Sequence, residues 1–222
     1  MKITLTNAGK RFNRDWIFRH LSYQFTSGKT YAITGPNGSG KSTLLQVIAG
    51  AMGVNEGAIS YELTVDSELL TENTLPSTVN NQLSTDSIYQ FTAFSAPYLE
   101  LVEEMTLQEF LEFHQVFKPF FQGMKIPLIM ETVQLSQSAH KQIREFSSGM
   151  KQRVKLAQSI LLNTPLLLLD EPCTNLDLDG IELYHRLIRD FASNRTVIVS
   201  SNDVQEYHFC EHILDIRDFK KA

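Results

Sequence analysis

Polar and apolar positions alternate through residues 1–34, the two-residue period of strands that bury one face. The alternation breaks at Phe12-Asn-Arg-Asp15 and again at Ser27-Gly-Lys29. Those breaks predict turns within an antiparallel N-terminal β segment, with Thr30–Thr34 as a buried strand after it. A helical run follows at 42–49, closed by Gly50, and a short strand is expected at 57–61. Residues 64–86 are rich in Ser, Thr and Asn and read as an irregular or hairpin surface segment. The apolar and aromatic run at 87–95 predicts another strand.

From 106 to 133 the period lengthens. Leu107, Phe110, Leu111, Phe113, Val116 and Phe117 recur at helix spacing, with Pro119 and Gly123 as breaks. A second helix is expected at 148–162, where Met150, Val154, Ala157 and Leu161 form one core-facing stripe. Leu166-Leu-Leu-Leu169 is apolar on both sides, as central parallel strands are. A helix at 180–192, a strand at Thr196–Ser200, a short helix at 204–210 and a last strand at 213–216 follow. Strands alternating with helices indicate an α/β chain with a single domain over residues 1–222. Its helical portion, about 97–160, is inserted ahead of the Leu166 strand.

Composition narrows the setting. A chain of 222 residues that is 42% hydrophobic can bury one good core, with at most a small appended lobe. A net charge of −5 argues against nucleic acid as the main partner, because tracking phosphates needs a basic excess. The most apolar run, Leu166-Leu-Leu-Leu169, is far short of the ~20 residues that a bilayer helix needs, and the first six residues lack a secretory core. Cys173 and Cys210 make neither a disulfide framework nor a metal cluster. A reducing, cytoplasmic setting is expected.

The chemistry concentrates in three places. Gly35-Pro-Asn-Gly-Ser-Gly-Lys-Ser-Thr43 matches G-x-x-x-x-G-K-[ST] between a strand and a helix, the setting in which that pattern cradles phosphates. Asn37, Gly38, Ser39, Gly40 and Thr43 would present backbone N–H groups to a triphosphate. Lys41 would neutralise its β and γ oxygens, and the Ser42 hydroxyl would bind Mg²⁺. Asp170 and Glu171 follow the Leu166 strand, at the end where open α/β sheets hold ligands. Asp170 would hold Mg²⁺ with Ser42, and Glu171 would polarise an attacking water. Phe146-Ser-Ser-Gly-Met-Lys-Gln-Arg153 opens a helix with small residues: either an anion site or an ordinary N-cap through Ser147 or Ser148.

These motifs, with Thr174-Asn-Leu-Asp177 directly after the acidic pair, resemble an ATP-binding cassette (ABC) ATPase over nearly the whole chain. The resemblance implies a P-loop core of ABC type with an N-terminal antiparallel β subdomain and an inserted helical subdomain. It further implies ATP and Mg²⁺ as ligands, and a head-to-tail homodimer or paired cassette. Ser147, Ser148 and Gly149 would then close over the partner's γ-phosphate, with Asp177 on the dimer seam. Phe12, with Trp16 as second choice, would stack on adenine. A separately encoded integral membrane permease is implied as partner, which places the chain peripherally on the inner face of the cell membrane. The end at Ala222 points to an exporter-type cassette. A soluble assembly factor and an ATP-gated dimer switch with little turnover remain as alternatives.

Three departures from the family pattern stand out. The signature reads Ser148-Gly149 rather than Gly-Gly. Ala96 or Pro97 stands where a Gln is usual, and Asn202 where a His is usual. Asn donates a hydrogen bond but carries no charge. Losing a positioned donor in this chemistry typically slows it by ~10²–10³, so slow hydrolysis resting on Glu171 is expected. Glu100, Glu103, Glu104, Glu109 and Glu112 form an acidic stretch, either a solvated face or a dock for a basic partner helix.

Overall fold

The computed structural model of the chain describes residues 1–63, 82–85 and 87–220. Most of the expected surface segment at 64–86 therefore lies outside the described residues. The strands are β1 (Lys2–Phe12), β2 (Asp15–Phe25), β3 (Thr30–Thr34), β4 (Glu56–Glu62), β5 (Gln82–Leu83), β6 (Thr92–Ser95), β7 (Leu166–Asp170), β8 (Thr196–Ser200) and β9 (His212–Asp215). The helices are α1 (Lys41–Ile48), α2 (Leu107–Phe117), α3 (Ile126–Thr132), α4 (Ser148–Ile160), α5 (Leu178–Phe191) and α6 (Val204–Tyr207).

Two sheets result. The antiparallel one runs β2-β1-β4-β5 and the parallel one β6-β7-β8-β3-β9. β1 and β2 meet through a turn in which Asn13 takes a left-handed backbone (φ 54), a conformation Asn tolerates better than most residues. The Leu166 run shows how the layers meet. Leu166 and Leu168 pack with α1 and the inner face of the antiparallel sheet, beside Ile3, Leu5 and Phe25. Leu167 and Leu169 point the other way, into a core shared with α4 and α5. Both faces of the strand are buried, as the unbroken leucines imply.

The expected elements shift in four places. The run at 87–95 is a 3-10 turn at Ile88–Phe91 followed by a strand of only four residues. Buried Ile88 packs against Gly50 at the end of α1, and the Thr92 hydroxyl donates to the Ile88 carbonyl at 2.9 Å. The long helical run divides at its breaks into α2 and α3. A capping box opens α2: the Thr106 side chain accepts from Glu109 N–H while the Glu109 carboxylate accepts from Thr106 N–H. Leu107, Phe110 and Leu111 of its stripe are buried, but Phe113, Val116 and Phe117 are exposed, Val116 at 79%. α5 starts at Leu178, before the expected 180, because Asp177 caps it by accepting from Gly180 N–H at 2.9 Å. The short helix near the C-terminus stops at Tyr207 rather than 210.

Candidate nucleotide site

β3 leads into the glycine loop, and three of its glycines have left-handed or related backbones: Gly35 (φ 140), Gly38 (φ 75) and Gly40 (φ 108). Two of them also lack room. A Cβ on Gly35 would sit 2.8 Å from Ile216 Cγ2, and one on Gly40 would run into Ile17 Cγ2. Around Gly38 there is open space, so its reason for being glycine is the backbone alone. Gly40 also stands at the N-cap of α1 and offers no side-chain cap. The first-turn N–H groups, those of Lys41, Ser42 and Thr43, are thus left for an incoming anion. Lys41 is buried with its ammonium folded over the loop, donating to the Gly35 carbonyl at 2.8 Å and the Pro36 carbonyl at 3.3 Å.

The strand ends converge beside this loop. Asp170 on β7 is paired in register with Ser200 on β8, Ser200 with Ile33 on β3, and Ser95 on β6 with Leu169. Asp170 Oδ1, Ser200 Oγ, Ser95 Oγ and Ser39 Oγ are all buried and, among the described residues, without a hydrogen-bond partner. Each such orphan costs about 1–3 kcal/mol. Four of them, on the glycine loop and at the carboxyl ends of adjacent strands, gather polar atoms that suit a polar ligand. Burial pushes the Asp170 carboxyl up from the ordinary aspartate range, and the nearby Lys41 charge opposes the rise. A carboxylate and hydroxyl oxygens are the donor set that Mg²⁺ takes, and the loop fits phosphate, so Ser42 and Asp170 suit the metal and residues 37–43 the nucleotide.

Glu171 sits one residue on, with a left-handed backbone (φ 42) and its N–H donating to the Ser200 carbonyl at 2.9 Å. Such a backbone is strained for a residue with a Cβ, and strain of this kind gathers at working sites. Asn202 follows β8 and is exposed, between Ser201, whose hydroxyl accepts from Asp203 N–H at 2.9 Å, and the start of α6.

The small-residue run lies elsewhere on the surface. Ser147 is the N-cap of α4, its hydroxyl accepting from Met150 N–H at 3.2 Å, and Ser148 is exposed beside it. Gly149 passes close to the loop after β7: a Cβ there would lie 3.1 Å from the Asn175 carbonyl. Among the described residues no hydrogen bond joins 147–149 to the glycine loop. Asp177 is largely exposed and reaches Arg153 of α4 at 3.5 Å. Of the two aromatics, Trp16 is flanked by the guanidinium groups of Arg19 at 4.5 Å and Arg11 at 5.4 Å. Phe12 is 45% exposed, with the Lys10 ammonium 5.6 Å from its ring centre.

Several polar groups of this region escape a motif search. Ser200 and Ser95 could have been found from their places at strand ends, where ligands bind in open α/β sheets. Gln152 donates to the Pro172 carbonyl at 2.7 Å, and buried Glu206 accepts from Cys173 N–H at 2.7 Å; both brace the loop that carries Glu171. Lys155 of α4 donates to the Pro97 carbonyl at 2.6 Å, and the Tyr98 hydroxyl accepts from Gln46 Nε2 at 2.8 Å. None of these four contacts is visible in the local sequence.

The ABC transporter family matches residues 18–174. The lantibiotic transport ATP-binding protein SrtF of Streptococcus pyogenes is 27% identical over 226 residues, covering 98% of this chain and 86% of SrtF. The Nod factor export ATP-binding protein I of a Rhizobium species is 30% identical over 208 residues, 92% of this chain and 64% of that protein. The zinc uptake system ATP-binding protein ZurA of Listeria monocytogenes is 24% identical over 96% of this chain and 82% of its own length. A solved ATP-binding cassette, dimeric in a post-hydrolysis state with ADP and Pi bound, aligns with a TM-score of 0.76 over 96% of this chain and 94% of that one. Its identity is 22%, so this last likeness is one of fold.

Proposed function

Because the chain belongs to the ABC transporter family, we propose that it is the ATP-hydrolysing subunit of a transporter and drives a separately encoded membrane permease. The observation that carries this reading is the set of unpartnered polar atoms at the strand ends, gathered beside a glycine loop and its buried lysine. ATP is the substrate, and a bound Mg²⁺ would supply charge neutralisation at the β and γ oxygens. Lys41 and the backbone N–H groups of 38–43 bind and orient the phosphates. Ser42 and Asp170 hold the metal, Glu171 takes a proton from the attacking water, and Asn202 donates to the γ-phosphate. Phe12, the freer of the two aromatics, stacks on adenine. Ser147, Ser148 and Gly149 act across a head-to-tail dimer with Asp177 on its seam, a reading supported by the exposure of Ser147, Ser148 and Asp177 and by the lack, among the described residues, of a hydrogen bond from 147–149 to the loop of their own chain.

No helix among the described residues is long and apolar enough to cross a membrane, and the permease is proposed as a separate chain. The exposed row Phe113, Val116 and Phe117 on α2, beside Glu109 and Glu112, supports docking there. That contact would hold the subunit on the cytoplasmic face. Export is the proposed direction, and the relatives include an uptake subunit as well as an export one.

The test is Glu171→Gln. This variant binds ATP with wild-type affinity, loses turnover, accumulates as an ATP-bound dimer, and brings a polytopic membrane protein with it from native membranes. Hydrolysis at the wild-type rate would refute the role of Glu171, and a soluble complex would favour an assembly factor. The absence of a donor side chain at Ala96 and Pro97 favours a second reading, an ATP-gated dimer with little turnover. A wild-type rate near zero even with the permease present would select it.

A further inference from the structure

Tyr98 lies three residues past the end of β6, on the stretch that leads from the strand ends into α2. Two contacts fix that stretch from opposite sides. Lys155, from the helix opened by Ser147, donates to the Pro97 carbonyl at 2.6 Å. From the other side Gln46 of α1 donates to the Tyr98 hydroxyl at 2.8 Å. Gln46 is four residues after Ser42, so the two side chains share one face of α1, a turn apart. The ring is about half exposed. The phenol is thereby tied to the helix that carries the metal-side hydroxyl, three residues past Ser95, whose Oγ has no partner among the described residues.

We propose that Tyr98 is a positioning residue for the phosphate and metal end of this site, acting through Gln46 to hold the Ser42 face of α1 against Asp170. This supplies, from a neighbouring position, a polar anchor where Ala96 and Pro97 have none. The inference rests on the nucleotide reading of the site above. Gln46 has no other assigned part, and its hydrogen bond joins segments 52 residues apart.

The experiment is a double-mutant cycle on the full chain with Tyr98→Phe, Gln46→Leu and the pair, read by two quantities. One is the Mg²⁺ concentration at which ATP raises the melting temperature by half its maximum, and the other is kcat against KM for ATP. Each single variant is expected to raise the half-effective Mg²⁺ and lower kcat about fivefold to tenfold, the worth of one lost hydrogen bond. KM for ATP and the melting temperature without nucleotide should stay near wild type. The double variant should be no worse than either single one. Independent, additive effects would overturn the proposal, as would a Tyr98→Phe chain with unchanged Mg²⁺ dependence. So would a loss of stability without nucleotide that accounts for the whole change. Lys41→Ala separates the two levels. If ATP and Mg²⁺ stabilise the wild type and Lys41→Ala abolishes this, the site reading stands and the cycle judges Tyr98 alone. If wild type shows no such stabilisation, the site reading fails and Tyr98 with it.

Discussion

Glu171 and His114 show opposite ways in which a side chain is set by its surroundings. Glu171 is fixed by its own backbone, a left-handed turn just past a buried strand, held by its N–H to the Ser200 carbonyl. His114 is fixed by packing: its Nε2 lies 3.2 Å from the Gln158 carbonyl, and its ring is stacked with Phe110 and tilted against Phe120. Burial lowers its pKa from the ordinary 6.5; the Gln158 contact raises it and the nearby Lys118 charge lowers it further. A lowered histidine pKa means the unfolded chain takes up a proton that the folded chain refuses. Stability is therefore kept above pH 6.5 and lost as pH falls through the window below it. His114→Gln, which cannot titrate, is expected to narrow the gap between urea midpoints at pH 8 and pH 5.5. An equal gap in both proteins would show that another group controls the acid side.

Between elements, Arg195 does what no local pattern announces. It is 4% exposed, and its guanidinium donates to the Thr164 carbonyl, the Ile160 carbonyl and the Thr164 hydroxyl, each at 2.7 Å, with the Phe191 carbonyl at 3.5 Å. Ile160 and Phe191 are the last residues of α4 and α5. One cation thus caps two helix C-termini, where unpaired carbonyls concentrate negative potential. Its planar fork also spans acceptors that a single ammonium could not reach together. Arg195→Lys is expected to cost about 2–4 kcal/mol in urea unfolding, since at least two buried carbonyls lose their donor. A cost below about 1 kcal/mol would mean that water replaces the lost donors. α2 makes a different point at the same level. Its helical period is clear in the sequence, but half of its apolar stripe faces outward, because the period shows that a stripe exists without showing what covers it.

For the chain as a whole, the proposed head-to-tail dimer is the feature to test, since among the described residues no hydrogen bond joins Ser147-Ser-Gly149 to the glycine loop of the same chain. Ser148 offers a clean probe. It is exposed in the first turn of α4, where a carboxylate suits the helix dipole, yet a carboxylate there would repel a partner's γ-phosphate. Ser148→Glu in the Glu171→Gln background is expected to fold normally and bind ATP as a monomer, with the ATP-dependent dimer gone in light scattering. A dimer that persists would place the contact elsewhere.

Much of this was legible in the residues alone, wherever the physics is local. The loop from Gly35 to Thr43 announces itself because backbone conformation and phosphate binding both demand particular residues at fixed spacing. The Leu166 run marks a strand buried on both sides, and Asp170 and Glu171 at its end follow from where parallel sheets bind ligands. Other features come from residues distant in the chain. Ile88 turns into a 3-10 turn under Gly50, Arg195 reaches two helix ends, Gln46 finds Tyr98, and four polar atoms on the glycine loop and at the strand ends are left without partners among the described residues. These depend on which surfaces meet once the layers pack, and no period or spacing along a single segment encodes that.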